Sequence, residues 1–230
     1  VDLEDVAEKY GTPTYIYSER ILRRNAEVLK KIFIDRGFKV SYAMKANSNP
    51  MILKLFKSYG FGVDIVSEGE FKLAQHCGFE GLELNFAGVG KTIEELDLAL
   101  DFDIDHFNVE SRFELELLET RAKIAGKKAA VLLRLNPDID PQTHPHISTG
   151  LKQNKFGMSP EKVRHFLTHA ESYPHIQFDG IHCHIGSQIV QPQPFYDLID
   201  YLEQFTSSLR ASGVEFSHID LGGGFGVDRK

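Results

Sequence analysis

Short apolar segments alternate with amphipathic segments along almost the whole chain. The short segments are rich in Val, Ile and Phe and form nearly continuous apolar runs, which is typical of parallel strands buried on both faces. Each is followed by a segment whose apolar residues recur every three or four positions, which predicts a helix. The seven predicted strands are Lys39–Ala43, Gly62–Val66, Leu82–Phe86, His106–Val109, Ala129–Leu135, Asp179–His184 and His218–Leu221.

The predicted helices carry recognisable start signals. Three of them begin with a capping box, in which a hydroxyl and a carboxylate satisfy free backbone N–H groups. Two others begin with a capping side chain followed by proline at the first helical position. The capping residues are Ser67, Thr92 and Ser111, then Asn49 and Ser159. Two predicted apolar helix faces are Leu22, Ala26, Leu29, Ile32 and Phe33, and Leu198, Ile199, Leu202, Phe205 and Leu209.

Seven strand–helix alternations predict an α/β fold with a parallel sheet. The pattern alone allows either a doubly wound open sheet or a (β/α)8 barrel. The last predicted strand runs into Gly222 with no helix after it, so a barrel would lack its eighth strand. We therefore expect residues 1–230 to form one incomplete barrel domain of a longer protein, with residues 1–35 leading into it.

Composition narrows the possible functions. The formal charge of −7 and the scattered Lys and Arg residues provide no basic surface for nucleic acid. No stretch approaches the roughly 20 apolar residues that a membrane helix needs. The acidic N-terminus lacks the profile of a signal peptide. Cys77 and Cys183 are too few for a disulfide framework, which favours a cytoplasmic location.

Four places put unusual residues near the carboxyl ends of predicted strands, where the functional groups of parallel α/β folds gather. The first is Lys45, in Tyr-Ala-Met-Lys-Ala-Asn after the first strand. Burial there would favour the neutral, nucleophilic amine, which can form a Schiff base with a carbonyl group. The alternative is a lysine that merely extends from the strand end into solvent.

The second place is the run of three glycines from Gly222 to Gly224 after the last strand. Glycines let backbone N–H groups approach a phosphate closely. The run matches neither the dinucleotide-binding fingerprint nor the phosphate-binding loop of nucleotide hydrolases. A tight turn without a ligand is the alternative.

The third place is the segment from His182 to Ser187. Strand alternation puts His182 and His184 on one side and Cys183 on the other. Two such histidines could bind a metal, with the loop residues His144 and His146 available, but the spacing supplies no definite third ligand. An imidazole stacked on a flat cofactor, with a hydroxyl reaching a phosphate, requires fewer assumptions.

The fourth place is the long segment Asn136–Ser159, which exceeds the usual connection of about 2–6 residues in such folds. An active-site loop is a better interpretation than a disordered insertion, because the segment is partly apolar.

Taken in order, these motifs resemble those of the fold type III pyridoxal-phosphate-dependent decarboxylases. Tyr-Ala-x-Lys-Ala-Asn is similar to that family's cofactor-lysine motif. Gly62–Glu70, the His-x-Gly-Ser that begins at His184, and the triple glycine also match. The lysine, histidine and glycine motifs are shared with ornithine and arginine decarboxylases. Asn136-Pro137-Asp138, Thr143–Gly150 and Lys155-Phe156-Gly157 are most similar to the branch that acts on meso-diaminopimelate.

The resemblance implies an alanine-racemase-type barrel and pyridoxal 5′-phosphate as its cofactor, with no metal. It implies that Lys45 binds the cofactor and handles the proton at the substrate Cα, and that His184 stacks on the pyridine ring. A partner for the pyridine nitrogen, and a C-terminal β domain, would lie beyond Lys230. The cofactor-binding residues implied are Lys45, Asp64, Arg134, His184, Ser187, Gly222, Gly223 and Gly224.

The function implied is decarboxylation of meso-diaminopimelate to L-lysine and CO2. The implied enzyme is a cytoplasmic homodimer with a shared active site, an amino-acid substrate, and no nucleic-acid or membrane partner. Ornithine, arginine or carboxynorspermidine decarboxylation remains an alternative. An amino-acid racemase fits the long segment poorly. A non-catalytic cofactor-binding homologue would have no chemical reason to keep Lys45, His184 and Ser187.

Overall fold

The computed structural model describes residues 2–139 and 156–227, and every element named below belongs to these two stretches. The strands are β1 Ser41–Ala43, β2 Gly62–Ile65, β3 Leu84–Phe86, β4 His106–Val109, β5 Ala129–Arg134, β6 Ile176–His182 and β7 His218–Asp220. The α-helices are α1 Leu3–Tyr10, α2 Glu19–Ile32, α3 Pro50–Ser58, α4 Glu68–His76, α5 Ile93–Asp101, α6 Arg112–Ala125, α7 Pro160–Thr168 and α8 Gln193–Arg210. Short 3-10 helices occupy Ile34–Arg36, Met44–Ala46, Gly81–Glu83 and Ala170–Ser172.

The strand order decides between the two topologies that the sequence allowed. All seven strands are parallel, and each pairs with the next one along the chain, from β1 to β7. A doubly wound sheet reverses its order at a switch point, whereas a barrel does not. The sheet is curled in the manner of a half-barrel, so the α/β prediction is confirmed and the open alternative is excluded. Within the described stretches, no helix has the length and apolarity to cross a bilayer.

The predicted capping residues begin their helices as expected. Each accepts a hydrogen bond from a backbone N–H of the first turn. The box at Thr92 is complete, because Glu95 also accepts from the Thr92 N–H. At α4 and α6, by contrast, the predicted box is not closed at the capping residue: the carboxylates of Glu70 and Glu114 reach one residue farther back and accept from the Val66 N–H at 2.8 Å and the Glu110 N–H at 3.0 Å. At α6 this hydrogen bond connects the first turn of the helix to Glu110, the residue that follows β4.

The outer face of the strands is apolar and the inner face is largely polar, so the prediction of strands apolar on both faces was wrong. The face beneath the helices carries the core, including Val63, Ile65, Phe86, Phe107 and Leu133, each at most 2% exposed. The alternate residues of the same strands point inward, where none of the described helices covers them. The polar residues of this inner face include Ser41, Asp64, Asn85, His106, Asn108, Arg134, His182, His218 and Asp220.

Two predicted helix faces are less buried than expected. In α2 the buried residue is Ala26, whereas Leu29 and Ile32 are 38% and 42% exposed. This helix precedes the edge strand β1, and among the described α-helices it packs mainly against α3, so one of its sides has little cover. In α8 the buried stripe runs along one narrow line, and Ile199, which lies beside Leu198 around the helix, is 48% exposed.

Strand boundaries differ from the prediction by up to three residues. The largest shift is in β6, which begins at Ile176 rather than Asp179 and ends at His182 rather than His184. A register irregularity between Val131 and Leu132 of β5 places Asp179 in a bulge opposite them. Because β6 ends early, His184 lies in the loop that approaches the triple glycine.

Candidate cofactor site

Lys45 lies just beyond the carboxyl end of β1. The chain leaves β1 at Ala43 and enters the 3-10 segment, in which Met44 is buried while Lys45 is exposed. The expected burial of Lys45 was therefore wrong: the strand ends two residues earlier than the lysine, and the turn directs Met44, not Lys45, into the core. Lys45 is nevertheless near enough to Asp64 and His184 for its positive charge to act on the pKa of each.

Asp64 is the polar residue of β2 nearest to Lys45. It aligns with Ala43 of β1 and Asn85 of β3, and its Oδ1 is buried without a hydrogen-bond partner. Burial raises the pKa of Asp64 to about 7; the nearby carboxylate of Asp220 adds to the increase, and Lys45 opposes it. A buried carboxyl with a strongly displaced pKa in a cleft is a recurrent feature of functional sites.

The backbone requires a glycine at two of the three positions after β7, but not at the third. Gly222 and Gly224 have φ angles of 68° and 94°, which side chains rarely tolerate. A Cβ on Gly222 would lie 2.4 Å from the Cys183 carbonyl oxygen, and one on Gly224 would lie 1.9 Å from that of Gly186. Gly223 has an ordinary φ and no atom within 4 Å of where its Cβ would be. The protein itself requires the outer two glycines, while the middle one faces open space.

His184 is held against this loop. Its Nδ1 lies 3.3 Å from the Gly223 N–H and accepts its hydrogen bond. Burial lowers the pKa of His184, and the positive charges of Arg134 and Lys45 lower it further, so the ring is neutral near pH 7. Ser187 is exposed beside the same loop, since a Cβ on Gly224 would lie 3.5 Å from the Ser187 Cα.

The predicted alternation around Cys183 is confirmed. Cys183 is fully buried among the apolar core residues, where burial raises the pKa of its thiol to about 12. His182 lies on the opposite, polar face, where burial lowers its pKa to about 4 and its Nδ1 has no partner. Among the described residues, His182 and His184 do not form a group of three possible metal ligands. His144 and His146 lie outside the described residues.

Arg134 is positioned by two carboxylates that the sequence analysis missed. It ends β5, aligns with His182, and forms an ion pair with Glu110, whose side chain is 4% exposed. Glu114 accepts from the Glu110 N–H and also binds the ammonium of Lys91 at 2.6 Å. Glu110 directly follows a predicted strand, so its position at the carboxyl end was a usable signal.

The described residues at both ends of the long segment Asn136–Ser159 lie next to Arg134. Met158 donates to the Arg134 carbonyl at 2.8 Å and accepts from the Asn136 N–H at 2.9 Å. The Arg134 guanidinium lies 5.4 Å from the centre of the Phe156 ring. The motifs Thr143–Gly150 and Asn154-Lys155 lie outside the described residues.

The inner face therefore presents polar groups that lack partners. In the described stretches, four buried side-chain atoms have no hydrogen bond, although such atoms are nearly always paired in folded proteins. They are Asp64 Oδ1, Asn108 Oδ1, Glu110 Oε2 and His182 Nδ1. Together with the open space at Gly223 and the lysine at the rim, they fit a flat polar cofactor that carries a phosphate. These groups lie at the carboxyl end of a barrel-type sheet and are a candidate site for a cofactor that carries a phosphate.

Comparison with known proteins assigns the family. Residues 19–230 match the pyridoxal-binding domain of the pyridoxal-dependent decarboxylases, and the chain belongs to this family. Pyridoxal phosphate is accordingly its cofactor.

Relatives are similar over almost the whole chain. Diaminopimelate decarboxylase of Vibrio cholerae is 44% identical over 99% of this chain, and that of Aquifex aeolicus is 41% identical over 100%. The crystal structure of diaminopimelate decarboxylase from Helicobacter pylori complexed with L-lysine superimposes with a TM-score of 0.90, at 37% identity and over 98% of this chain. The chain spans 54% of each of the first two proteins and 57% of the third.

We expect the variant Asp64→Asn to change how stability depends on pH in the cofactor-free complete protein. The pKa of about 7 in the folded chain exceeds that of an unfolded aspartate, about 3.9. Between these values the folded state binds more protons, so the wild type loses stability as pH rises from about 4 to 8. The asparagine variant lacks this loss and should be more stable at pH 8, on the order of 2–4 kcal/mol, converging with the wild type near pH 4.

Urea unfolding followed by circular dichroism at several pH values measures this difference. Asp200→Asn, at an exposed position of α8, is the matched control and should follow the wild type. Equal pH slopes for wild type and Asp64→Asn would show that Asp64 is not responsible.

Proposed function

We propose that the complete protein is a decarboxylase that converts meso-diaminopimelate to L-lysine and CO2. The observation that best supports this type of reaction is that Lys45, Asp64 and His184 lie near the glycine loop at one end of the sheet. The substrate is supported by relatives of that name that are 41–44% identical over essentially the whole chain.

Each group at the site has a separate task in this proposal. Lys45, exposed at the rim, is the residue that would hold the cofactor and return a proton to the substrate Cα. The neutral ring of His184 would cover one face of the pyridine. Ser187 and the glycine loop would hold the phosphate, with the Gly223 backbone as the point of close approach. The further binding residues proposed are Asp64, Arg134, Gly222 and Gly224.

The bound cofactor supplies an electron sink for the bond between Cα and the carboxylate. The protein orients that bond, excludes water and sets the local charge. Arg134 is suited to an anionic group, because its guanidinium is fixed by Glu110 on one side and borders Phe156 on the other. Asp64 is suited to hold or release a proton near neutral pH.

The decisive experiment measures CO2 release by the complete protein, saturated with pyridoxal phosphate, from meso-diaminopimelate, ornithine and arginine in parallel. We expect release from meso-diaminopimelate alone. Turnover of another substrate instead would leave the fold and Lys45 in place but refute the assigned specificity. A bound-cofactor absorbance without CO2 release from any of them would favour a non-catalytic homologue.

The variant Lys45→Ala should abolish both CO2 release and the borohydride-sensitive visible absorbance of the bound cofactor, because only the lysine amine can bond the cofactor aldehyde. Lys31→Ala, an exposed lysine of α2, is the matched control and should retain both. A retained, borohydride-sensitive absorbance in Lys45→Ala would refute the assignment of this lysine.

We further propose that the complete protein is a cytoplasmic homodimer with a shared active site. In this proposal an eighth strand closes the barrel between β7 and β1, and a C-terminal β domain follows. The proposal is supported by the family resemblance, by the fraction of the relatives that the chain spans, and by two free, buried cysteines. Light scattering should give twice the subunit mass, and a fully active monomer would contradict it.

A further inference from the structure

A second polar cluster lies at the opposite, amino-terminal end of the sheet. His106 begins β4, His218 begins β7, and Asp179 occupies the bulge of β6. One possible ligand atom from each lies within 4.8 Å of the other two, and no other group of the described residues meets this condition. Asp220, whose charge acts on Asp64 of the candidate cofactor site, lies two residues after His218 along β7. The cluster is therefore displaced from that site by about 7 Å toward the amino-terminal end of the strand.

We propose that His106, Asp179 and His218 bind a divalent transition metal of the zinc type at this end of the sheet. Two imidazoles and one carboxylate are a common ligand set for such ions. Zinc ligands at bond lengths of about 2.1 Å in tetrahedral geometry are separated by about 3.4 Å. The distance of 3.1 Å between His106 Nε2 and Asp179 Oδ2 is close to that separation.

Each proposed ligand is oriented by an outer partner. His106 Nδ1 lies 3.3 Å from Asp105 Oδ2, and Lys39 holds the same oxygen at 2.6 Å. A metal at Nε2 would replace the 3.1 Å contact with Asp179 and leave the Nδ1 proton directed at Asp105, as is usual around metal-binding histidines.

The other two ligands have comparable partners. His218 Nδ1 lies 2.8 Å from the Ser217 hydroxyl, and Asp179 Oδ1 accepts from the Gln177 amide at 2.7 Å. His218 Nε2 and Asp179 Oδ2 are therefore the atoms left for an ion.

The competing occupant of this cluster is a proton. A doubly protonated His106 could donate to Asp105 and Asp179 at once. That arrangement would leave His218, whose ring centre is 4.7 Å from that of His106, without a role. A metal ion would bind His218 as well as His106 and Asp179, whereas a proton shared between His106 and the two carboxylates would not.

The charge and access of the cluster are compatible with a cation. Asp105 and Asp179 contribute two negative charges, of which Lys39 balances one. The side chain of Asp179 is 16% exposed, so an ion can reach it from solvent, whereas that of His106 is only 4% exposed. A bound metal would connect β4, β6 and β7 and stabilise the folded state in proportion to its affinity.

The test is a zinc titration of the complete, cofactor-saturated protein after removal of metals with a chelator. Calorimetry should show one equivalent of Zn²⁺ bound, with a dissociation constant below about 10 μM, or roughly −7 kcal/mol. Co²⁺ at the same site should give the visible absorbance of a tetrahedral complex. A wild type that binds no Zn²⁺ even at millimolar concentration would overturn the proposal without any variant.

Variants locate the site. His218→Ala and Asp179→Asn should each weaken Zn²⁺ binding by more than about 100-fold, and Asp105→Asn by about 10–100-fold as an outer partner. His165→Ala, at α7 beside His169, is the matched control and should bind Zn²⁺ like the wild type. Circular dichroism shows which variants are folded. Unchanged affinity in either folded ligand variant would place the metal elsewhere and overturn the proposal.

Discussion

The molecule depends on a sheet whose two faces meet different surroundings. Helices seal the outer face, where residues such as Phe86 and Phe107 are almost fully buried. Because the sheet curls, no helix layer can cover the inner face, and its polar side chains must find partners on other strands or on a ligand. Burying a polar group without a partner costs free energy, so the identity of these partners decides how each part of the inner face is used.

The polar side chains of the inner face have different kinds of partner at the two ends of the sheet. At the amino-terminal end, side chains from distant strands satisfy one another, as in the contact between Lys39 and Asp105, which are 66 residues apart. At the carboxyl end, Lys91 and Glu114 form an ion pair in which the lysine side chain is 1% exposed. This pair holds the Glu110 N–H and, through Glu110, Arg134. Removing one partner would leave an unpaired buried charge, which is costly. The pair therefore holds Glu110 and Arg134 in place beside the unpaired atoms of the candidate site.

The sequence predicted the elements better than the surroundings of their side chains. Strands, helix caps and the glycine loop follow from local spacing, and β4 was predicted at its observed bounds, His106–Val109. The polar alternation in that strand, with His106 and Asn108, was visible but was interpreted as part of an apolar run. Which groups meet across the sheet depends on its curvature, which no local pattern specifies. The exposure of Lys45 likewise depends on where β1 ends.

The triple glycine illustrates how structure separates residues that a motif treats alike. Resemblance assigns Gly222, Gly223 and Gly224 one common role. In the structure, the outer two glycines are required by the protein, because a side chain there would collide with the carbonyl groups of Cys183 and Gly186. Nothing in the described chain requires a glycine at the middle position. In the proposed cofactor site, Gly223 is therefore the residue whose backbone would approach the phosphate, while its neighbours shape the turn that presents it.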